Sequence, residues 1–343
     1  MAGRGEAAQP TPVASGNRAG GGRTTTLAPL GGTAAAPAFA TGGVAAERAG
    51  KGTLRENLTG WAFALPFVLI FAIFLLGPII ATLLMSFTDF GLRDLRNPLG
   101  TNFIGIDNYT ALLTDKKFFA ALFNTAYFVV VGVPLTLISG LGIAVLLDRG
   151  IKRFRTMFRV GYYLPVVTSI VAIAVVWRFV LNPDVGLVNM ALDSVGVNGP
   201  DWLANPALAM PSIIVMAVWR NLGFAMVVFL AGLQTIPSSL YEAASIDGAG
   251  RWQAFRHVTL PLLRPTMLFI VVITTIGYLQ LFEEPFVMTD GGPLDRTLSI
   301  SMYMFRQGFQ FFHQGYAAAI AWVLFILVAI VAFIQFRILR PET

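Results

Sequence analysis

The chain has 343 residues, of which 56% are hydrophobic and 12% charged, and its mean hydropathy is +0.70. Soluble domains carry about 25% charged residues. Too few polar side chains remain here to coat a water-facing surface, so the composition is that of a polytopic membrane protein, not of the soluble domains its length would suggest. The absence of cysteine excludes disulfides, thiolate metal sites and thiol nucleophiles. Two isolated histidines, His257 and His313, argue against a catalytic metal centre, and no cofactor is expected.

Residues 1–57 are mostly Gly, Ala, Thr, Pro and Arg. Such a segment cannot bury enough apolar area to offset its ordering entropy, which predicts a disordered tail. It also lacks the apolar core of a cleaved secretory signal. Residues 58–343 form the expected membrane domain, an all-α fold with six apolar segments at about 61–86, 119–147, 162–182, 208–233, 262–283 and 316–337. Each is near the roughly 20 residues a spanning helix needs, the third being marginal. Pro66, Pro78, Pro134 and Pro211 do not veto these helices, because neighbouring groups satisfy the freed carbonyls.

Lys and Arg set the orientation. The tail, the 148–161 loop, the 234–261 connection with Arg264, and the C-terminus together hold sixteen; the opposite loops hold six. The 183–207 loop has none, but carries Asp184, Asp193 and Asp201. Both termini are therefore expected in the cytoplasm. Topology accounts for the net charge of +6, and nucleic acid is not needed to explain it.

The cytoplasmic connection between segments four and five, 236–261, is the most informative stretch. Pro237 and Ser238/Ser239 predict a helix start with an N-cap candidate. Leu240, Ala243, Ala244 and Asp247 recur at helical spacing, and Gly248 and Gly250 break the helix. A second helix carries Trp252 and Phe255, and Pro261 is expected to end it. Small residues beside a glycine hinge suit a docking element; an amphipathic connector lying on the membrane is the alternative.

Glu242-Ala243-Ala244, Gly248 and Val258-Thr259-Leu260-Pro261 resemble the "EAA" loop of bacterial binding-protein-dependent ATP-binding-cassette importers, in which isoleucine usually stands at the Val258 position. Phe103-Ile104-Gly105-Ile106-Asp107-Asn108-Tyr109, Tyr163-Leu164-Pro165, Trp177-Arg178-Phe179 and Asn182-Pro183-Asp184-Val185-Gly186 are similar to segments of carbohydrate-importer permeases. Thr289-Asp290-Gly291-Gly292-Pro293 with Thr297 looks like the maltose and glycerol-phosphate permease subunit. The resemblance implies a transport subunit in a bacterial cell membrane, importing a di- or oligosaccharide. It also implies several partners: a second homologous permease, two cytoplasmic ATPase subunits and an extracytoplasmic sugar-binding protein. Glu242, Ala243, Ala244, Asp247, Gly248, Leu260 and Pro261 would then couple the chain to an ATPase. The chain has no GxxxxGK[ST] phosphate loop, so it is not expected to be an enzyme.

Intramembrane polar groups are costly and point to function. Arg220 and Asn221 sit roughly thirteen residues into the fourth segment, about 20 Å at 1.5 Å per residue, flanked by Trp219 and Phe224. Tyr278 and Gln280 lie in the outward half of the fifth, with Glu283 and Glu284 near its end. Trp219, Arg220, Asn221, Phe224, Tyr278 and Gln280 are the candidate substrate path, although Arg220 could instead serve a structural pairing. A secondary transporter would need membrane-buried acids for ion coupling, and mid-segment Asp and Glu are absent. A scaffold protein would have no use for these polar groups. Glycerol phosphate remains open, because Arg220 would suit a phosphate.

Overall fold

The structure, a computed structural model, describes residues 54–97, 100–150 and 154–339. The predicted tail therefore lies outside the described residues up to position 53, and its last four positions are helical. Helix α1, Leu54–Phe71, passes through a π-helical turn at Ala72–Leu76 into α2, Gly77–Met85. The Gly77 N–H reaches back to the Ala72 carbonyl across the turn. None of the described side chains along Trp61–Met85 is buried, so an almost wholly apolar rod is left for lipid or another chain to cover.

Short α3, Asp107–Leu112, leads to the 34-residue α4, Lys116–Arg149. Asp115 starts α4 by accepting bonds from the Lys117 and Phe118 N–H groups. Pro134 lies inside α4 without ending it. The segment read as one span at 162–182 is two helices, α5 (Arg155–Val167) and α6 (Ile170–Val180), bent by 101°. Thr168 and Ser169 adopt extended backbone between them (ψ 147° and 126°), so the helix stops just beyond Pro165.

After α7, Leu187–Asp193, comes α8, Ala209–Gln234, the most buried of the long helices. The cytoplasmic connection holds α9 (Ser238–Ile246), α10 (Arg251–Ala254), a π turn at Phe255–Thr259 and α11 (Leu260–Leu262). Pro261 does not end this run, contrary to expectation. The π turn lets the Leu260 N–H bond to Phe255, and the 66° bend falls at Leu263, just before α12 (Arg264–Leu279). Helices α13 (Glu283–Met288), α14 (Ile300–Phe305) and α15 (Gln314–Leu339) complete the chain.

The described chain is all-α apart from isolated bridges, with four helices long and apolar enough to span a membrane, or up to six if each bent pair counts as one. Helices α4 and α8 form its centre. Phe128 and Val133 of α4 pack with Ile213, Ile214 and Ala217 of α8, Ile173 and Ala174 of α6, and Tyr278. At the other end, Ala144 and Leu147 meet Ala225, Phe229 and Leu230 of α8 and Ile270 of α12. Small residues permit these crossings: a Cβ on Gly223 would lie 2.0 Å from the Tyr162 carbonyl oxygen of α5.

Candidate functional site

The connection between α8 and α12 is an exposed helical elbow. Pro237 occupies the N-cap position of α9 and no side chain caps it; Ser238 is the first helical residue, not the cap that the sequence suggested. A glycine turn closes the helix. The Gly248 N–H bonds to the Ser245 carbonyl and the Ala249 N–H to the Ala244 carbonyl, while Gly248 sits at φ +78°. These two bonds with a left-handed residue form a Schellman C-cap, which an L residue with a Cβ enters only with strain. A Cβ there would meet nothing within 4 Å, so the backbone angle, not crowding within this chain, calls for glycine.

Beyond it, Gln253 accepts a 2.7 Å bond from the Gly250 N–H and starts the next helix. Tyr241 and Thr259 hydroxyls meet at 3.0 Å and tie the two arms together. Glu242, Ala243, Asp247, Gly248 and Pro261 are exposed, and Ala244 and Leu260 are half-buried. Ile246 and Trp252 are 86% and 69% exposed, and Trp252 stacks on Phe255. The predicted coupling residues thus fall on one solvent-facing elbow. They share it with two uncovered apolar side chains, Ile246 and Trp252, that the sequence pattern did not mark as contacts.

The second group of predicted residues lies where α8 approaches α12 and α13. Trp219 is 42% exposed and packs on Trp177 of α6 at 5.7 Å. Arg220, Asn221 and Phe224 are half-buried and Gln280 is exposed. Asn221 donates to the Ala217 carbonyl and accepts from Arg220 at 3.4 Å. Tyr278 is different, because it is buried against α4. Its ring meets Phe128 edge-on at 4.8 Å, and its hydroxyl bonds with that of Thr136 at 2.9 Å. A Cβ on Gly132 would come within 2.9 Å of that ring. Tyr278 therefore holds α12 to α4. Glu284, four residues past Gln280 but in α13, beyond the break that ends α12, is buried; its spacing from Gln280 was visible in the sequence, its burial was not.

At the far end of α4 a carboxylate forms a pin that sequence reasoning missed. Asp115 accepts bonds from the Tyr303 and Tyr316 hydroxyls, the latter at 2.6 Å, joining α4, α14 and α15. Burial works to raise its pKa, but these hydroxyls and the Lys117 and Phe118 N–H groups outweigh it and hold the carboxyl below its usual value. Burial, and then Asp115 itself, push the Tyr303 hydroxyl up to about 12. A cavity of about 530 Å³ lies between the ends of α6 and α13, lined in part by Arg178, Asn182, Asp201 and Asp290.

Residues 132–343 match the family described as "Binding-protein-dependent transport system inner membrane component", and the chain belongs to that family. It is 38% identical over 300 residues to a probable ABC transporter permease protein, YesP, of Bacillus subtilis, covering 86% of this chain and 94% of that one. It is 36% identical over 292 residues to the lactose transport system permease protein LacF of Rhizobium radiobacter, covering 83% and 95%. Among solved structures, a bacterial ABC transporter that imports the acidic polysaccharide alginate has a chain with TM-score 0.72 and 26% identity, covering 84% of this chain and 97% of that one. The protein is a multi-pass membrane permease subunit of an ABC-type carbohydrate import system of the inner or plasma membrane, without an ATPase site of its own.

Proposed function

We propose that the chain crosses the membrane six times with both termini cytoplasmic and forms half of the translocation path, pairing with a second, homologous permease. The two bent helix pairs then count as spans, in keeping with the bias of Lys and Arg toward the tail, the 148–161 loop and the elbow. Two cytoplasmic ATPase subunits supply the energy, and an extracytoplasmic binding protein delivers the sugar. The observation that carries this reading is the exposed elbow at 238–262, where Glu242 and Ala243 point to solvent beside a left-handed glycine turn.

Ala243 and Ala244 fit a cleft of the ATPase, Glu242 contacts its surface, and Asp247, Gly248, Leu260 and Pro261 shape the elbow. When the ATPases close on ATP, they move the elbow as a lever and tilt α8 and α12. The cargo is a di- or oligosaccharide, which meets Trp219, Arg220, Asn221, Phe224 and Gln280, with Tyr278 bracing them from behind. Aromatic rings beside hydrogen-bonding groups are the usual mixture for sugar recognition.

The chain contains no cysteine, so Ala243→Cys is a clean single-cysteine reporter. Purified from native membranes in gentle detergent, the reporter should bring down a second permease and a P-loop ATPase, and should cross-link to the ATPase. Recovery of the chain alone, with ion-driven flux in vesicles, would overturn the assignment.

A further inference from the structure

The cavity of about 530 Å³ between the ends of α6 and α13 lies apart from the candidate path residues, and chain connectivity fixes its place. Leu203 and Ala204 in its wall come a few residues before α8 begins at Ala209, whereas the elbow follows the other end of α8. With 26 residues in α8, roughly 40 Å of helix separates the two, at 1.5 Å per residue. On the topology proposed above, the cavity is extracytoplasmic.

Its walls combine donors, acceptors and a ring. Arg178 gives one Nη1 N–H to the Val287 carbonyl at 3.2 Å and makes no ion pair among the described residues, so most of its five donors are uncommitted. Asp201 Oδ1 accepts from the Leu203 and Ala204 N–H groups at 3.2 and 3.0 Å, which leaves the second carboxylate oxygen for a ligand. Asp290 is met by Arg306 at 3.1 Å. Phe286 lines the same cavity and is 38% exposed. The loop that carries Asp290, Gly292 and Pro293 is tied down: Arg306 donates to the Asp290 carbonyl, Thr297 to the Gly292 carbonyl and Asn124 of α4 to the Asp295 carbonyl, each at 2.7 Å. A wall held in this way costs little ordering when a ligand binds.

The volume falls within the roughly 300–1,000 Å³ of small-molecule sites. A hydroxyl both donates and accepts, so neighbouring hydroxyls of one sugar can satisfy a guanidinium and a carboxylate together while an aromatic ring covers its C–H face. An anion would meet Asp201 and Asp290, and a cation would meet Arg178. Resting on the carbohydrate-import reading above, we propose that this cavity is an outer subsite that holds a neutral sugar unit before it enters the path. Arg178 and Asp201 are its hydrogen-bonding groups and Phe286 its apolar wall. The step onward is short, because Trp177, the neighbour of Arg178, packs on Trp219 at 5.7 Å.

The test uses the purified permease–ATPase complex without its binding protein. Ala204→Cys places a thiol in the cavity wall, and Val185→Cys places one outside it, at a residue 68% exposed. An uncharged maleimide is the label; lactose, maltose, trehalose and glycerol 3-phosphate are the probes. At least one disaccharide should slow labelling of Ala204→Cys and leave Val185→Cys unaffected, and glycerol 3-phosphate should slow neither. Adding Arg178→Gln or Asp201→Asn should raise the half-protecting concentration about tenfold, as loss of a hydrogen bond to a charged group does. Asp201→Asn keeps an acceptor for the two N–H groups, so its unfolding temperature should match wild type.

Labelling that ignores every disaccharide, protection undiminished in both variants, or protection by glycerol 3-phosphate would overturn the sugar subsite. So would protection by the binding protein alone, with both variants loosening its attachment, since the cavity would then seat a side chain of that protein. The importer reading is measured separately, as ATP-dependent uptake by the wild-type assembly in proteoliposomes. Uptake that ignored ATP would remove that reading whatever the labelling showed.

Discussion

Gly248 offers the sharpest test of the elbow because its geometry separates two reasons for glycine. At φ +78°, with open space where a Cβ would stand, alanine is penalised only through the backbone, by about 1–2 kcal/mol for an L residue in this region. At 1.4 kcal/mol per factor of ten, the Schellman turn would lose about five- to thirty-fold of its population relative to competing conformations. Asparagine is tolerated at such positions, whereas a β-branched residue is a genuine outlier there. The backbone argument therefore predicts uptake in the order Gly248, Asn, Ala, Val, with inserted protein unchanged throughout. Vesicle uptake, ATPase activity and the amount of co-purifying ATPase would be measured together. A flat series would refute the reasoning. The proposed docking adds a second element: Gly248→Asp should abolish uptake while the protein still inserts and pairs with its partner permease, even though aspartate tolerates the angle as asparagine does. If Asp and Asn were equally active, close approach of a partner would drop out, and only the turn would remain.

Other sites test the framework. Asp115→Asn should keep the α4 cap, since asparagine caps as well as aspartate, but lose the charge on the two tyrosine bonds, at about 1–2 kcal/mol; thermal unfolding of the purified complex reads this. The lowered Asp115 pKa makes that contribution present above the ordinary carboxylate value of 3.8 and lost only as pH falls through the still lower folded value, while the raised Tyr303 value makes its contribution present below 10 and lost as pH rises toward about 12. Stability differences between wild type and Tyr303→Phe should thus be flat from about pH 5 to 9 and shrink in alkali; a change near neutrality would refute the assignment. Gly223→Ala should push α5 from α8, because its Cβ would sit 2.0 Å from a backbone oxygen that no rotamer can move. A cost of about 1–3 kcal/mol or more is expected, read as a lower unfolding temperature. Tyr278→Phe should cost about 1 kcal/mol for the lost bond to Thr136 and leave apparent KM for sugar unchanged. A KM rise without loss of stability would make Tyr278 a substrate contact instead of a brace.

Long apolar segments reveal themselves one at a time, because a bilayer requires each span to satisfy its own backbone and present apolar side chains whatever its neighbours do. That is why 61–86, 119–147, 208–233 and 316–337 correspond to helices within a few residues. The elbow was legible for a similar reason. Its glycines and small residues act through local backbone geometry, and Gly248 occupies the conformation its residue type suggests.

What no local pattern could decide was which polar and helix-breaking residues would be accommodated by neighbours. Pro261 is carried within a helical turn that runs one residue past it before the chain bends by 66°, whereas a single apolar run broke by 101° between Val167 and Ile170. Tyr278 and Gln280 look alike in the sequence as polar groups on the fifth span. Phe128, Gly132 and Thr136, more than a hundred residues earlier, draw Tyr278 into the core and leave Gln280 outside. Glu284 was visible as an acid near the end of the fifth segment; its burial depends on how α13, set off from α12 by a break at 280–282, packs against α6 and α8. Sequence alone determined that this chain lives in a membrane and carries a helical elbow closed by a glycine turn, since hydropathy and turn chemistry act over a few residues. Which polar side chains are buried was decided only in the tertiary structure, because the energy of a polar group depends on what the fold brings beside it.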